Sequence, residues 1–186
     1  RAIAHFRRAV RLHPGAFMAW HNLGILYAAQ GAFHRAVDAY QKLVALAPKR
    51  GRYRLYLAYA HLLAGRPQRA QRWLKGSPLR AEDQPLASLI SGLIAWSHGD
   101  CPGAMRRLAD IPLRGEQARE VRYQVCRVAF QCGTVAQMRR RCAPLGAARV
   151  MWTDRERELW RKVELRGGRP ALRRGRRCQG PHGSCG

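Results

Sequence analysis

Four glycines, Gly31, Gly65, Gly99 and Gly133, stand 34 residues apart in unbroken succession. Glycine supplies 18 of the 186 residues, about a tenth of the chain. Three more glycines in register with the first would then arise by chance roughly once in a thousand. Other positions keep the same step. The residue five after each glycine is Ala36, Ala70, Ala104 or Met138, and four further on stand Tyr40, Leu74, Leu108 and Cys142. A fixed period of this length marks an array of supersecondary units, each unable to bury its apolar face without a neighbour.

The best copy shows what one unit is. Trp20, Leu23 and Tyr27 recur at helical spacing and share a face. Gly24 and Ala36 are small where two antiparallel helices must approach closely. Gly31 provides a turn that tolerates a left-handed backbone, and Pro48 stops the second helix. The pattern predicts a leading helix over 1–12, then pairs 17–30 with 34–47, 51–64 with 67–75, 84–98 with 101–110, and 116–131 with 135–142. Gly76-Ser77-Pro78, Pro112 and Pro144 are expected to shorten the later second helices by about a turn.

The segment AWHNLGILYAAQGAFHRAVDAYQKLVALAP, within 17–50, closely resembles the tetratricopeptide repeat. Trp20, Leu23, Gly24, Tyr27, Gly31, Ala36, Tyr40 and Pro48 fall on the signature positions of that family. Ala2, Phe6, Ala9 and Pro14 resemble the second helix of a preceding repeat. The resemblance implies an all-α fold, a right-handed superhelical solenoid of antiparallel helix pairs. It divides the chain into a second helix of a truncated repeat (1–14), a full repeat (17–50) and three degenerate repeats (51–84, 85–118 and 119–152). A capping helix is expected over 153–166. Thr153 and Glu156 open it as a capping box, and Leu159, Trp160 and Val163 lie on one face. Residues 167–186, rich in Gly, Pro and Arg, are expected to be a disordered tail.

Charge is the next constraint. Lys and Arg number 35 against 11 Asp and Glu, a net charge of +24. Such a field favours anionic partners, whether nucleic acid, acidic protein or an anionic surface. A bias toward Arg at solvated positions gives the same count, and the arginines are spread over every segment. The longest apolar run, near Leu86–Trp96, is far short of the roughly 20 residues that span a bilayer. No charged-then-apolar leader is visible at the start, so no signal peptide is expected there. The chain starts at Arg1 inside an apolar-periodic segment and reads as a fragment of something longer, for which a cytoplasmic location is expected.

Chemistry is sparse. There is no phosphate-binding glycine loop, nucleophile elbow or His-Glu-x-x-His, and carboxylates are too few for a convincing pair. Asp100 and Asp110 flank a short helix and read as caps or surface charges. His21, His34 and His61 are scattered over helices and read as structural. Cys178, His182 and Cys185 offer three ligands, short of a closed tetrahedral zinc site. Neither catalysis, a cofactor nor a metal is expected of these residues. The six cysteines lack a Cys-x-x-Cys pair. They are expected to be free thiols in a reducing compartment, with Cys126, Cys132 and Cys142 buried as small apolar residues.

The resemblance implies a function in binding. In this family the first helix of each repeat lines a groove, which here maps onto Met18, His21 and Ile25, then Arg52, Leu55 and Tyr59. Leu86, Leu89, Leu93 and Trp96 follow, then Tyr123 and Arg127. The row is apolar and aromatic with a few Arg, suited to an amphipathic helix or an extended peptide. Some members grip a terminal carboxylate with a Lys/Asn/Arg clamp. Asn22 matches its Asn, whereas His21, Ile25 and Tyr56 do not supply the charged donors, which argues against that clamp here. The sequence-level reading is therefore a scaffold for a protein or peptide partner. A second reading is a nucleic-acid-associated repeat using Arg169, Arg173, Arg174, Arg176 and Arg177 of the tail. A third is the targeting arm of an enzyme whose catalytic domain lies upstream.

Overall fold

The computed structural model describes residues 1–109, 111–112 and 118–132. Among them the regular structure is entirely helical. The helices are α1 (Ala2–Leu12), α2 (Phe17–Ala29), α3 (Phe33–Leu46), α4 (Gly51–Leu63), α5 (Pro67–Leu74), α6 (Gln84–Ser97), α7 (Cys101–Ala109) and α8 (Ala118–Gln131). A single 3-10 turn, Ala81–Asp83, precedes α6. Gly133, Met138, Cys142, Pro144, the expected helix over 135–142, the capping helix over 153–166 and the tail lie outside the described residues. So do Asp110 and the Cys178, His182 and Cys185 group.

The glycine register becomes a repeated backbone motif. Gly31, Gly65 and Gly99 have φ of 73°, 71° and 80°. Each closes its helix in the same way. The Gly31 N–H donates to the Ala28 carbonyl and the Ala32 N–H to the Tyr27 carbonyl. Gly65 and Arg66 repeat this on Leu62 and His61, and Gly99 and Asp100 on Trp96 and Ala95. This pairing satisfies carbonyls orphaned at the helix end and reverses the chain in two residues. The next helix must then run back antiparallel.

The chain divides into two compact units, residues 1–94 and 95–186. In the first, α1 packs on α2, α2 on α3, α3 on α4 and α4 on α5. Val10, Ala19, Leu23 and Ala39 form one buried cluster. Ala36, Val37, Tyr40, Leu43, Tyr53, Leu57 and Ala60 form another. Trp20 and Tyr27 pack against both, so one stripe of α2 joins successive layers of core. The Trp20 indole N–H donates to the Pro14 carbonyl at 2.8 Å, tying the α1–α2 loop to the stripe. The backbone of α2 approaches the Tyr40 ring so closely at Gly24 that a Cβ there would overlap it. Pro48 follows the end of α3, whose C-cap Ala47 has left helical geometry at φ −144° and ψ 70°, as a residue before proline must.

Second helices shorten along the chain, from 14 residues in α3 to 8 in α5 and 9 in α7. Helix α5 ends at Leu74; Gly76, with φ of 69°, turns the chain just beyond it, and the Ser77 hydroxyl donates back to the Trp73 carbonyl at 2.7 Å. The segment that follows crosses Gly51, where the Pro78 carbonyl leaves no room for a side chain. Asp100 caps α7, accepting from the Gly103 N–H at 2.8 Å.

In the second unit the free-thiol expectation is overturned for Cys101, Cys126 and Cys132, while Cys126 is buried as expected. Cys101 and Cys132 form a disulfide with Cα atoms 5.4 Å apart, and Cys126 is also disulfide-bonded. The reason is topological. Helices α7 and α8 pack together, and the start of α7 lies beside the end of α8. Two cysteines 31 residues apart in sequence thereby become neighbours.

Candidate functional site

The face predicted to bind begins on α2. Ala19, Leu23 and Gly24 are buried on one side of that helix. Met18 and Ile25, two turns apart, are 57% and 46% exposed. Both are large apolar side chains left in water on one stripe of α2. Between them His21 is half-buried, its ring 4.9 Å from that of Tyr56 on α4. Tyr56 continues the series to Tyr40 at 5.7 Å and to Tyr53 at 6.4 Å. Sequence reasoning weighed Tyr56 only against a carboxylate clamp and left it out of the groove, although it stands one 34-residue period after Asn22 on the same first-helix face.

Burial sets the electrostatics of this ladder. Desolvation lowers the His21 pKa from 6.5, so the ring is neutral at pH 7. Burial raises the Tyr40 and Tyr56 hydroxyls above their usual range, and neighbouring Tyr56 adds to the effect on Tyr40. The site therefore presents neutral aromatic edges, with hydroxyls and an imidazole that donate and accept without charge.

Arg52 was expected to reach a partner, but the fold already occupies it. Its Nε donates to Asp83 Oδ1 at 2.6 Å, and Nη2 lies 3.4 Å from Glu82 Oε1. Asp83 is 3% exposed. It also accepts from the Arg80 N–H at 3.3 Å. The Asp83 hydrogen bond is the main reason that the Arg52 pKa is raised. Arg52 thus fastens α4 to the 3-10 turn before α6, and sequence reasoning had not paired the two.

Four other predicted groove residues are corrected by their burial. Leu55 on α4, and Leu89, Leu93 and Trp96 on α6, are between 0% and 6% exposed. They are core side chains and present no surface to a partner. Both helices are apolar on more than one face, and an apolar residue at a first-helix position is drawn inward wherever packing covers that side. Leu86 and Tyr59 are half-buried. In the second unit Tyr123 is half-buried, and the Arg127 guanidinium lies 5.1 Å from the centre of the Trp96 ring. The structure thus places Met18, His21 and Ile25 on one stripe of α2, with His21 against Tyr56 of α4; Leu55, Leu89, Leu93 and Trp96 lie in the core, Arg52 is held by Asp83, and Tyr59, Leu86 and Tyr123 are half-buried. The tail arginines fall outside the described residues. Among the described residues, no group of three or more His, Cys, Asp or Glu could hold a metal ion. No described helix is long and apolar enough to cross a membrane.

Antiparallel helix pairs, closed by the same glycine turn every 34 residues and joined through shared core stripes, define an all-α helical-repeat protein. Family profiles described as Tetratricopeptide repeat match residues 1–50 and 27–93. The chain belongs to the tetratricopeptide repeat family. Repeats of this kind are generally protein–protein interaction modules and typically non-catalytic. No curated protein sequence matches the chain.

Proposed function

We propose that this chain is an interaction scaffold that docks an amphipathic helix or extended peptide against the α2–α4 face. The observation that carries the reading is the exposure of Met18 and Ile25 on one stripe, flanking the His21–Tyr56 stack. Preorganised aromatic and thioether surface supplies contact area at small entropic cost, since the rings are already held by one another. The net charge of +24 speeds encounter with acidic partners without fixing the register.

The test is selection of helical peptides from a displayed library against the protein, followed by affinity measurement on variants. Met18→Asp with Ile25→Asp is expected to weaken the selected peptides by about tenfold or more, the effect of losing a central anchor. Leu46→Asp, at another exposed apolar residue (45% exposed), should leave them unchanged. Equal loss in both variants, or none in either, refutes the reading.

The charge alone favours a second reading, association with nucleic acid. It predicts oligonucleotide binding with a steep salt slope that disappears when residues 167–186 are removed. A flat salt dependence rules it out.

A further inference from the structure

A second site lies away from the α2–α4 face. Between α1, α2 and α3 is a cleft of about 360 Å³ whose lining includes Arg7, Arg11, Arg35, Asp38, Trp20 and Tyr27. Its floor is apolar, closed by the buried side chains of Val10 and Leu23. The Trp20 indole N–H is spent on the Pro14 carbonyl. The indole therefore offers the cleft only an apolar surface. The Arg35 guanidinium stands 6.0 Å from the centre of the Tyr27 ring, which holds it over the aromatic wall. Arg7, Arg11 and Arg35 are exposed and make no ion pair with any described residue. Three guanidiniums thus face a single carboxylate, Asp38, around an apolar hollow.

We propose that this cleft binds an acidic peptide segment carrying one bulky apolar side chain. The apolar side chain fills the hollow against Trp20, Tyr27 and Leu23. Carboxylates on either side of it pair with Arg7, Arg11 and Arg35, which present forked donors suited to planar anions. Charge complementarity selects the occupant. A neutral apolar peptide leaves three cations desolvated without partners, and a polyanion lacking an apolar group leaves the hollow unfilled. The site is independent of the α2–α4 face, since it uses the Trp20 stripe and the outer residues of α1 and α3.

The experiment uses fluorescence anisotropy with two labelled peptides, Asp-Asp-Glu-Phe-Glu-Asp-Asp and the same sequence with Gly for Phe, at 150 mM salt. The Phe peptide is expected to bind about tenfold more tightly, the value of one buried aromatic anchor. A triple variant, Arg7→Ala with Arg11→Ala and Arg35→Ala, should abolish that preference. A second triple, Arg66→Ala with Arg69→Ala and Arg72→Ala, removes the same charge from α5 and its N-cap and should preserve it. Asp38→Asn removes the opposing carboxylate and should tighten binding about threefold. Circular dichroism of each variant checks the fold, and Met18→Asp with Ile25→Asp should leave this binding intact. Equal loss in the two triple variants, or equal affinity for the two peptides, means that only the general field acts, and overturns the proposal. A single-stranded oligonucleotide that outcompetes the Phe peptide in the wild type but not in the first triple also overturns it, assigning the cleft to nucleic acid.

Discussion

Two glycines of α2 and its turn are required for different physical reasons, and substitution separates them. At Gly31 nothing stands within 4 Å of where a Cβ would lie, yet φ is +73°. Gly31→Ala is therefore a purely backbone penalty of about 1–2 kcal/mol, and Gly31→Asn should recover part of it because Asn tolerates this region. Gly24 has ordinary helical backbone but faces the Tyr40 ring. That ring is 6% exposed and packed against His21 and Tyr56, so it has little room to retreat. Gly24→Ala should cost about 1–3 kcal/mol by overpacking. Combined with Tyr40→Leu the loss should be less than the sum of the two single losses. Urea unfolding of the five variants checks all of this. Burial couples two of the described histidines to stability. Burial lowers His21, and burial together with Arg69, Arg66 and Arg72 lowers His61, which is 1% exposed. Both rings bind protons more weakly folded than unfolded. Their contribution to stability should be full above the unfolded value of 6.5 and fall as pH drops below it. Substituting His61 by Gln should flatten that slope between pH 7 and pH 5; an unchanged slope would show that His61 contributes nothing to it.

At the scale of elements, two contacts tie helices together over long sequence distances. Arg52 joins α4 to the 3-10 turn through buried Asp83. Arg52→Met keeps the aliphatic stem but leaves that carboxylate without its cation. A loss of about 1.5–3 kcal/mol is expected, the range for hydrogen bonds to charged groups. The double variant with Asp83→Leu should be less destabilised than Arg52→Met alone, because no orphan charge is left. The Cys101–Cys132 disulfide closes a loop of α7, its connection and α8. Constraining a chain of that length in the unfolded state contributes about 3–4 kcal/mol in the loop-entropy view. Reduction with dithiothreitol should lower the melting temperature of the second unit and leave the first, where no cysteine lies, unchanged. Differential scanning calorimetry resolves the two.

At the scale of the molecule, the +24 charge acts on association more than on the fold. Its reach is a Debye length of about 10 Å at 0.1 M salt. Raising salt from 50 to 500 mM should therefore slow association with an acidic peptide by about tenfold while changing dissociation little. Stopped-flow fluorescence measures both rates. An effect confined to dissociation would mean that the charges act in close contacts and not through the summed field.

The sequence by itself determined the helices of the described residues and the turns between them. Those depend on neighbours within a few positions: the 3.6-residue spacing of Trp20, Leu23 and Tyr27, a positive φ at Gly31, Gly65 and Gly99, and Pro48 after α3. Only the tertiary structure decided which apolar faces were covered. Leu55 and Ile25 are equally apolar and both lie on first helices, yet one is 0% and the other 46% exposed. Local pattern cannot tell them apart, because burial depends on what packs from elsewhere in the chain. The same holds for Arg52 with Asp83, and for Cys101 with Cys132, which lie 31 residues apart in sequence in both cases. Arg52 read as a groove residue and the cysteines as free thiols until antiparallel packing supplied their partners. The glycine period therefore specified a stack of hairpins, and the stacking chose which side chains remain free to bind.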